Sequence, residues 1–216
     1  MSGCKKKEKF PVAKDVVLLH QLDRGIFTPS ISPFPLKLET YMRMAGISYE
    51  NDFKNPMGPK GKTPWMTFNG KDYCDSELCL ELLASKFQKD FSSHLTAEER
   101  AIARSFQIMT EEHLDCSLAM GLHQRENLVG RSDEFADGIA FGDAAGGASA
   151  QGMGRHNKDD VIEMGRKDLR AISDYLGTKP YFTGEKPTEM DCAMFGCLAQ
   201  LVWSMQGSPY EEQMKG

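Results

Sequence analysis

Asn69-Gly70 is the feature that most constrains this chain. An Asn-Gly pair between two apolar runs supplies the two positive-φ residues of a tight turn, so it doubles the chain back as a two-residue hairpin. The runs here are Pro64-Trp-Met-Thr-Phe68 before the turn and Lys71-Asp-Tyr-Cys74 after it. Upstream, Asp15 to Gln21 is short, β-branched and apolar, as expected for a buried strand. A loop rich in Gly, Thr, Pro and Ser follows from Arg24 to Pro33. From Phe34, Leu36, Leu38, Tyr41, Met42 and Met44 recur at helical spacing until Gly46 ends the helix. Ile47 to Phe53 reads as a second strand and Asn55 to Thr63 as loop. Asp75-Ser76 then opens a helix carrying Leu78, Leu80, Leu82, Leu83 and Phe87. The order β-α-β-loop-β-β-α is the thioredoxin arrangement.

The character changes after Phe91. Thr96 and Glu99 form a capping box, and a long helical pattern runs from there to about Gln124. A glycine- and alanine-rich stretch at about 135–156 lacks periodicity and reads as loop. Asn157 caps a further helix through Leu176. Thr188 and Asp191 cap another, whose apolar run from Cys192 to Trp203 belongs in the middle of a bundle. The expected organisation is a disordered tail over 1–14, a thioredoxin-like α/β domain over 15–90, and an all-helical domain over 95–216.

Composition narrows the partners. Apolar residues are 40% and charged ones 26%, ordinary for a globular protein. A net charge of -5 lacks the concentrated basic face that phosphate backbones require, so no nucleic-acid partner is expected. Lys5, Lys6, Lys7 and Lys9 form the one dense basic run, read as a solvated terminus rather than a membrane contact. No stretch reaches the roughly 18 to 20 apolar residues of a membrane span, and no secretory signal is legible. The six cysteines are scattered without a CxxC pair, which suits reduced, mostly buried thiols in the cytoplasm. Neither they nor the five dispersed histidines have metal-ligand spacing, so no metal is expected.

Three places can carry chemistry. Pro64, opening a strand, is either a stiff corner or the mark of a cis Thr63-Pro64 bond that leaves backbone groups free to pair with a peptide-like ligand. Ser76 either caps its own helix or gives its hydroxyl to a ligand carboxylate at the positive helix end, with Asp75 meeting an ammonium group. Ser32 stands where α-helical dipole and hydroxyl together would favour a thiolate, or else it is a plain N-cap, and Ser30 and Thr28 could take either task.

The segment Ser30 to Glu50, then Gly61-Lys-Thr-Pro-Trp-Met66, Asn69-Gly70 and Asp75-Ser76, resembles the failed axon connections family. Gly152 to His156 and Pro187 to Trp203 are similar to the same family, whose cadmium-responsive members share the pattern and whose metaxin relatives are more distant. The resemblance covers roughly residues 15 to 205 and lies within the glutathione transferase-like superfamily. It implies glutathione as co-substrate, with Pro64 and Thr63 at its cysteinyl part, Asp75 and Ser76 at its γ-glutamyl end, and Ser32 in the catalytic position. It implies conjugation of small electrophiles and, since the superfamily often dimerises, a homodimer. Ser32-Pro-Phe-Pro35 replaces the dithiol motif and leaves no dithiol redox chemistry there. Relatives also continue with further helices past Trp203, so an open hydrophobic pocket is expected. The competing readings are a non-catalytic adaptor in axon development or stress response, and a metaxin-like membrane-associated assembly factor.

Overall fold

The computed structural model describes residues 12–25, 28–122, 152–204 and 208–210. Most of the tail expected over 1–14, and most of the glycine-rich stretch expected at about 135–156, lie outside the described residues. The described part of that stretch, 152–156, holds a short 3-10 turn, Met153–Arg155.

Four strands, β1 (Val17–His20), β2 (Tyr49–Asp52), β3 (Trp65–Phe68) and β4 (Lys71–Cys74), form one sheet in the order β2-β1-β3-β4. β1 and β2 run parallel through the crossover helix α1 (Pro33–Ala45), while β3 pairs antiparallel with both β1 and β4. The Asn-Gly turn forms as the sequence requires, with φ of 48° at Asn69 and 78° at Gly70. Gly46 ends α1 in the left-handed region at φ 68°. The closing helix is α2 (Ser76–Phe87).

Alternation along the strands sends Val17, Leu19, Met66 and Phe68 to the helix-covered face. There they bury against Leu38, Tyr41 and Met42 of α1 and Cys79, Leu80 and Leu83 of α2. The opposite face carries His20, Asp52, Trp65 and Thr67, and the connection between β2 and β3 crosses in front of it.

The helical half begins with α3 (Ala97–Ile108), closed at its start by the reciprocal Thr96–Glu99 capping box. The helix continues without a break through a π-helical segment, Met109–Leu114, into α4 (Asp115–Leu122). α5 spans Lys158–Leu176, capped by Asn157, and α6 spans Glu189–Ala199, capped by Thr188 and Asp191. A second π-helical segment, Gln200–Ser204, follows directly. Leu114, Leu118, Leu169, Ile172, Phe182 and Met190 fill this core, beside a tight cluster of Phe106, Tyr175 and Phe182. Together the two halves show the architecture expected: a thioredoxin-like N-terminal domain followed by a helical one.

α6 is sandwiched between α1 and α3, as its nearly unbroken apolar sequence requires. Its Cys192 even enters the core of the sheet half. The crossing with α1 is closest at Gly196, where a Cβ would stand 2.5 Å from the Pro33 carbonyl oxygen and 3.3 Å from the Lys37 amide nitrogen. Both are backbone atoms and cannot swing aside. Gly196→Ala is therefore expected to push the two helices apart and cost about 1 to 3 kcal/mol, read as a lower urea midpoint with an unchanged slope.

Candidate functional site

The register brings the three sequence candidates to one end of the sheet. His20, the last residue of β1, pairs with Trp65, and Trp65 pairs with Cys74. Thr63-Pro64 and Asp75-Ser76 thus stand side by side just past the ladder ends. The start of α1, with Ser32 at its N-cap, follows the exit of β1 at the same end. The Thr63-Pro64 bond is cis, as one of the two sequence readings requires.

Thr63 has groups with no protein partner. Its Oγ1 is buried without a hydrogen bond, and no backbone hydrogen bond of the described residues involves its N–H or C=O. Buried hydroxyls nearly always find a partner; among the described residues Thr63 Oγ1 lacks one, as do Gln21 Oε1 and Tyr210 Oη.

At the start of α2 the division of labour differs from one sequence reading. Asp75, not Ser76, is the N-cap: its Oδ1 accepts from the amides of Glu77 at 3.0 Å and Leu78 at 3.2 Å. The helix begins at Ser76, so Asp75 is the residue just before the first turn, at φ 81°, and its short carboxylate reaches the first free amides. Ser76 is the first helical residue, and its hydroxyl and amide N–H are without a partner among the described residues. Oδ2 of Asp75 is likewise unused and the residue is exposed. A free amide, a free hydroxyl and a carboxylate oxygen at a positive helix end suit an α-amino acid head.

Ser32 occupies the N-cap position of α1, but its side chain makes no capping bond. Its amide donates to Ser30 Oγ at 3.3 Å. The Thr28 hydroxyl is engaged, donating at 2.7 Å to the Ser30 carbonyl, which also accepts from Gln200 Nε2 at 3.1 Å. A bidentate pair from Arg24 to Glu39, at 2.6 and 2.7 Å, ties this loop to α1. Burial alone would push the Glu39 carboxyl up; hydrogen bonds from Arg24 and Asn51 outweigh it and hold it below the usual range. The hydroxyl of Ser32 is thereby left available on a braced loop.

A cavity of about 500 Å³ lies at the opposite, Asn69 end of the sheet, between Phe68, Tyr73 and Phe87 with Lys71 and Lys86 nearby. It is remote from all three candidates and plays no part in their chemistry.

The glutathione S-transferase N-terminal domain family matches residues 33–126, and the glutathione S-transferase C-terminal domain family matches residues 165–216. The chain belongs to the glutathione S-transferase-like superfamily. Failed axon connections of Drosophila melanogaster is 31% identical to this superfamily member over 220 residues, which cover 91% of the chain. The chain spans about half of that relative, 53% of its length. The isoprene-epoxide glutathione S-transferase of Rhodococcus sp. (strain AD45) is 27% identical, with 81% of this chain and 82% of that protein aligned. A glutathione transferase homologue from Drosophila mojavensis, solved with bound glutathione, superposes with a TM-score of 0.57 at 16% identity, covering 86% of this chain and 77% of that one. That likeness speaks to the fold.

Sequence reasoning missed a polar cluster that lies against the start of α2 in this superfamily member. Lys37 is 1% exposed, yet its ammonium meets Glu77 of α2 and, at 2.7 Å, Glu111 of the π-helical segment. Gln107 donates to Glu77 at 2.6 Å and to Glu111 at 3.1 Å, and Arg104 reaches Glu77 at 3.3 Å. Burial works against the Lys37 charge, but Glu111 and Glu77 more than offset it and raise its pKa. The signal was present: Lys37, Tyr41 and Ala45 recur every four residues, so a lysine lies on the inward stripe of α1. Since Glu77 directly follows Ser76, the cluster also neutralises a carboxylate that would repel an anionic ligand at that helix end. Lys37→Met should cost about 2 to 3 kcal/mol, because it removes the cation from two partly buried carboxylates that keep other donors. Adding Glu77→Gln and Glu111→Gln should recover most of that loss in urea unfolding.

Proposed function

We propose that this chain binds glutathione at the carboxyl end of its sheet and conjugates it to small electrophiles. The observation that carries the reading is the set of unpaired groups at Thr63 and Ser76, which lie just past the same end of the β3–β4 ladder. Thr63 offers a backbone N–H, a carbonyl and a hydroxyl to the cysteinyl part of the tripeptide, in the manner of an added strand. Ser76 and the start of α2 take the γ-glutamyl carboxylate, and the free oxygen of Asp75 meets its ammonium.

Ser32 then donates its hydroxyl to the sulfur at the positive end of α1. Each unit by which a thiol pKa falls corresponds to about 1.4 kcal/mol of preference for the thiolate. The thiolate lone pair attacks an electrophilic carbon, forming the C–S bond as the leaving group departs or an epoxide opens. The glutathione held by the Drosophila mojavensis homologue and the epoxide substrate named for the Rhodococcus enzyme support this class of reaction. Homodimerisation and a cytoplasmic location belong to the same proposal. Buried free thiols at Cys79, Cys192 and Cys197 support a reducing compartment. Among the described residues, no helix is long and apolar enough to cross a membrane.

A second reading, a non-catalytic adaptor that retains the fold, is supported by the similarity to Failed axon connections. Retention on immobilised glutathione followed by a conjugation assay with an aromatic electrophile separates the two: the adaptor gives no conjugate. Ser76→Ala should weaken retention without unfolding the protein, since Asp75 rather than Ser76 caps α2. Equal elution of variant and wild type would remove Ser76 from the site. Ser32→Ala should raise the pH at which bound glutathione ionises, followed by thiolate absorbance, with thermal stability unchanged because Ser32 makes no capping bond.

A further inference from the structure

The sheet face away from α1 and α2 holds a buried histidine whose two ring nitrogens both meet oxygen. His20 is 4% exposed; its Nδ1 lies 2.7 Å from Asp52 Oδ2 and its Nε2 3.0 Å from Thr67 Oγ1. The Thr67 hydroxyl has one proton, and it goes to Asp72 Oδ1 at 2.8 Å. Towards Nε2, therefore, Thr67 offers a lone pair. Asp52 collects two further donors, the Lys54 amide at 2.8 Å and Asn55 Nδ2 at 2.9 Å. Burial would push the Asp52 carboxyl up, yet these bonds and His20 outweigh burial and hold it below the usual range. Both ring nitrogens thus face acceptors, and a neutral imidazole, with one N–H, can satisfy only one of them.

The same ring lies flat on Trp65, with centroids 3.5 Å apart and planes 4° from parallel. The indole Nε1 donates to the Asn55 carbonyl at 2.9 Å, and Asn55 donates to Asp52. A closed circuit therefore runs from His20 to Asp52, Asn55, Trp65 and back. It links β1, β2, the 53–64 connection and β3. Trp65 directly follows Pro64, and Gly58 of the same connection lies so close to Trp65 that a Cβ would stand 2.9 Å from its Cγ. The connection that delivers Thr63 and Pro64 thus meets the indole at two points, Asn55 and Gly58.

We infer that His20 is held as a buried imidazolium and acts as a positioning residue, its charge fixing Trp65 and through it the ligand-facing Thr63-Pro64 edge. The charged groups that the ring meets through hydrogen bonds are Asp52, directly from β2, and Asp72 of β4, through Thr67; the stacked indole is uncharged but favours a cation over its face. Losing the ring proton leaves one proton, that of the Thr67 hydroxyl, to be shared between Nε2 and Asp72, so the chain from His20 through Thr67 to Asp72 loses one of its bonds. The circuit is therefore intact at low pH and loosens as the pH rises through the ring ionisation. The inference rests on the glutathione reading only in its last step, where the edge receives ligand.

The test uses the full chain carrying Trp203→Phe, which leaves Trp65 as its one tryptophan. Nitrogen-15 NMR of His20 should show both ring nitrogens protonated at pH 6. As the ring titrates, Trp65 fluorescence should rise, because a stacked histidinium quenches indole, and the indole N–H should exchange faster in the same step. Asp52→Asn should move that step to lower pH. Affinity for S-methylglutathione, which has no thiol to titrate, should fall about tenfold across it, the loss expected when about one hydrogen bond of positioning disappears. A single protonated ring nitrogen at pH 6, or ligand affinity unchanged while the ring titrates, overturns the inference. If S-methylglutathione binds at no pH while the ring and Trp65 titrate together, the positioning of Trp65 stands and the glutathione reading fails.

Discussion

A lysine ammonium with 1% of its surface exposed demands compensation, and the way it is compensated organises this molecule. Lys37 draws Glu77 from the helix that closes the sheet half and Glu111 from the helical half, so α1, α2 and the π-helical segment share one buried charge cluster. The lysine needs the carboxylates to be buried with its charge, while Glu77 and Glu111 also receive Gln107, and Glu77 Arg104. Next to this cluster, Gly196 lets α6 touch the backbone of α1. Charge complementarity and close backbone approach together fix how the helical half seats against the first turns of α1 and α2, which are the two helix starts that the candidate site uses.

The candidate site follows from that seating. Almost every other polar group nearby is satisfied: Arg24 by Glu39, Ser30 by Gln200, the start of α2 by Asp75. Against this background the groups of Thr63, Ser76 and Ser32 without partners among the described residues stand out, together with Gln21 Oε1 just past β1. The bracing also separates roles. Asp75 holds the helix, so the Ser76 hydroxyl is not needed as a cap; the Arg24–Glu39 pair holds the loop, and the Ser32 side chain makes no capping bond.

Much of this was legible in the sequence because it rests on local rules. Asn69-Gly70 dictates its turn, Gly46 its helix end, and Thr96 with Glu99 its capping box. Pro64, Asp75, Ser76 and Ser32 were also legible as candidates, since each sits at a strand or helix terminus. What could not be read was which of Asp75 and Ser76 caps α2, because both are good capping residues and a shift of one residue in where the helix begins exchanges their roles. Nor could the partners of His20 be read: Asp52 is 32 residues away and Thr67 47 residues away.

The sequence by itself determined the order of elements, their ends, and which residues stand at the open end of the sheet, because turn chemistry, capping and apolar periodicity act within a few residues. Only the tertiary structure decided that Lys37 would be buried between two glutamates, that His20 would lie flat on Trp65, and that Thr63 and Ser76 would keep unpaired groups. Those outcomes depend on desolvation and on hydrogen-bond geometry between segments far apart in the chain. A charge is buried or exposed, and a donor paired or free, only once the surfaces around it have closed.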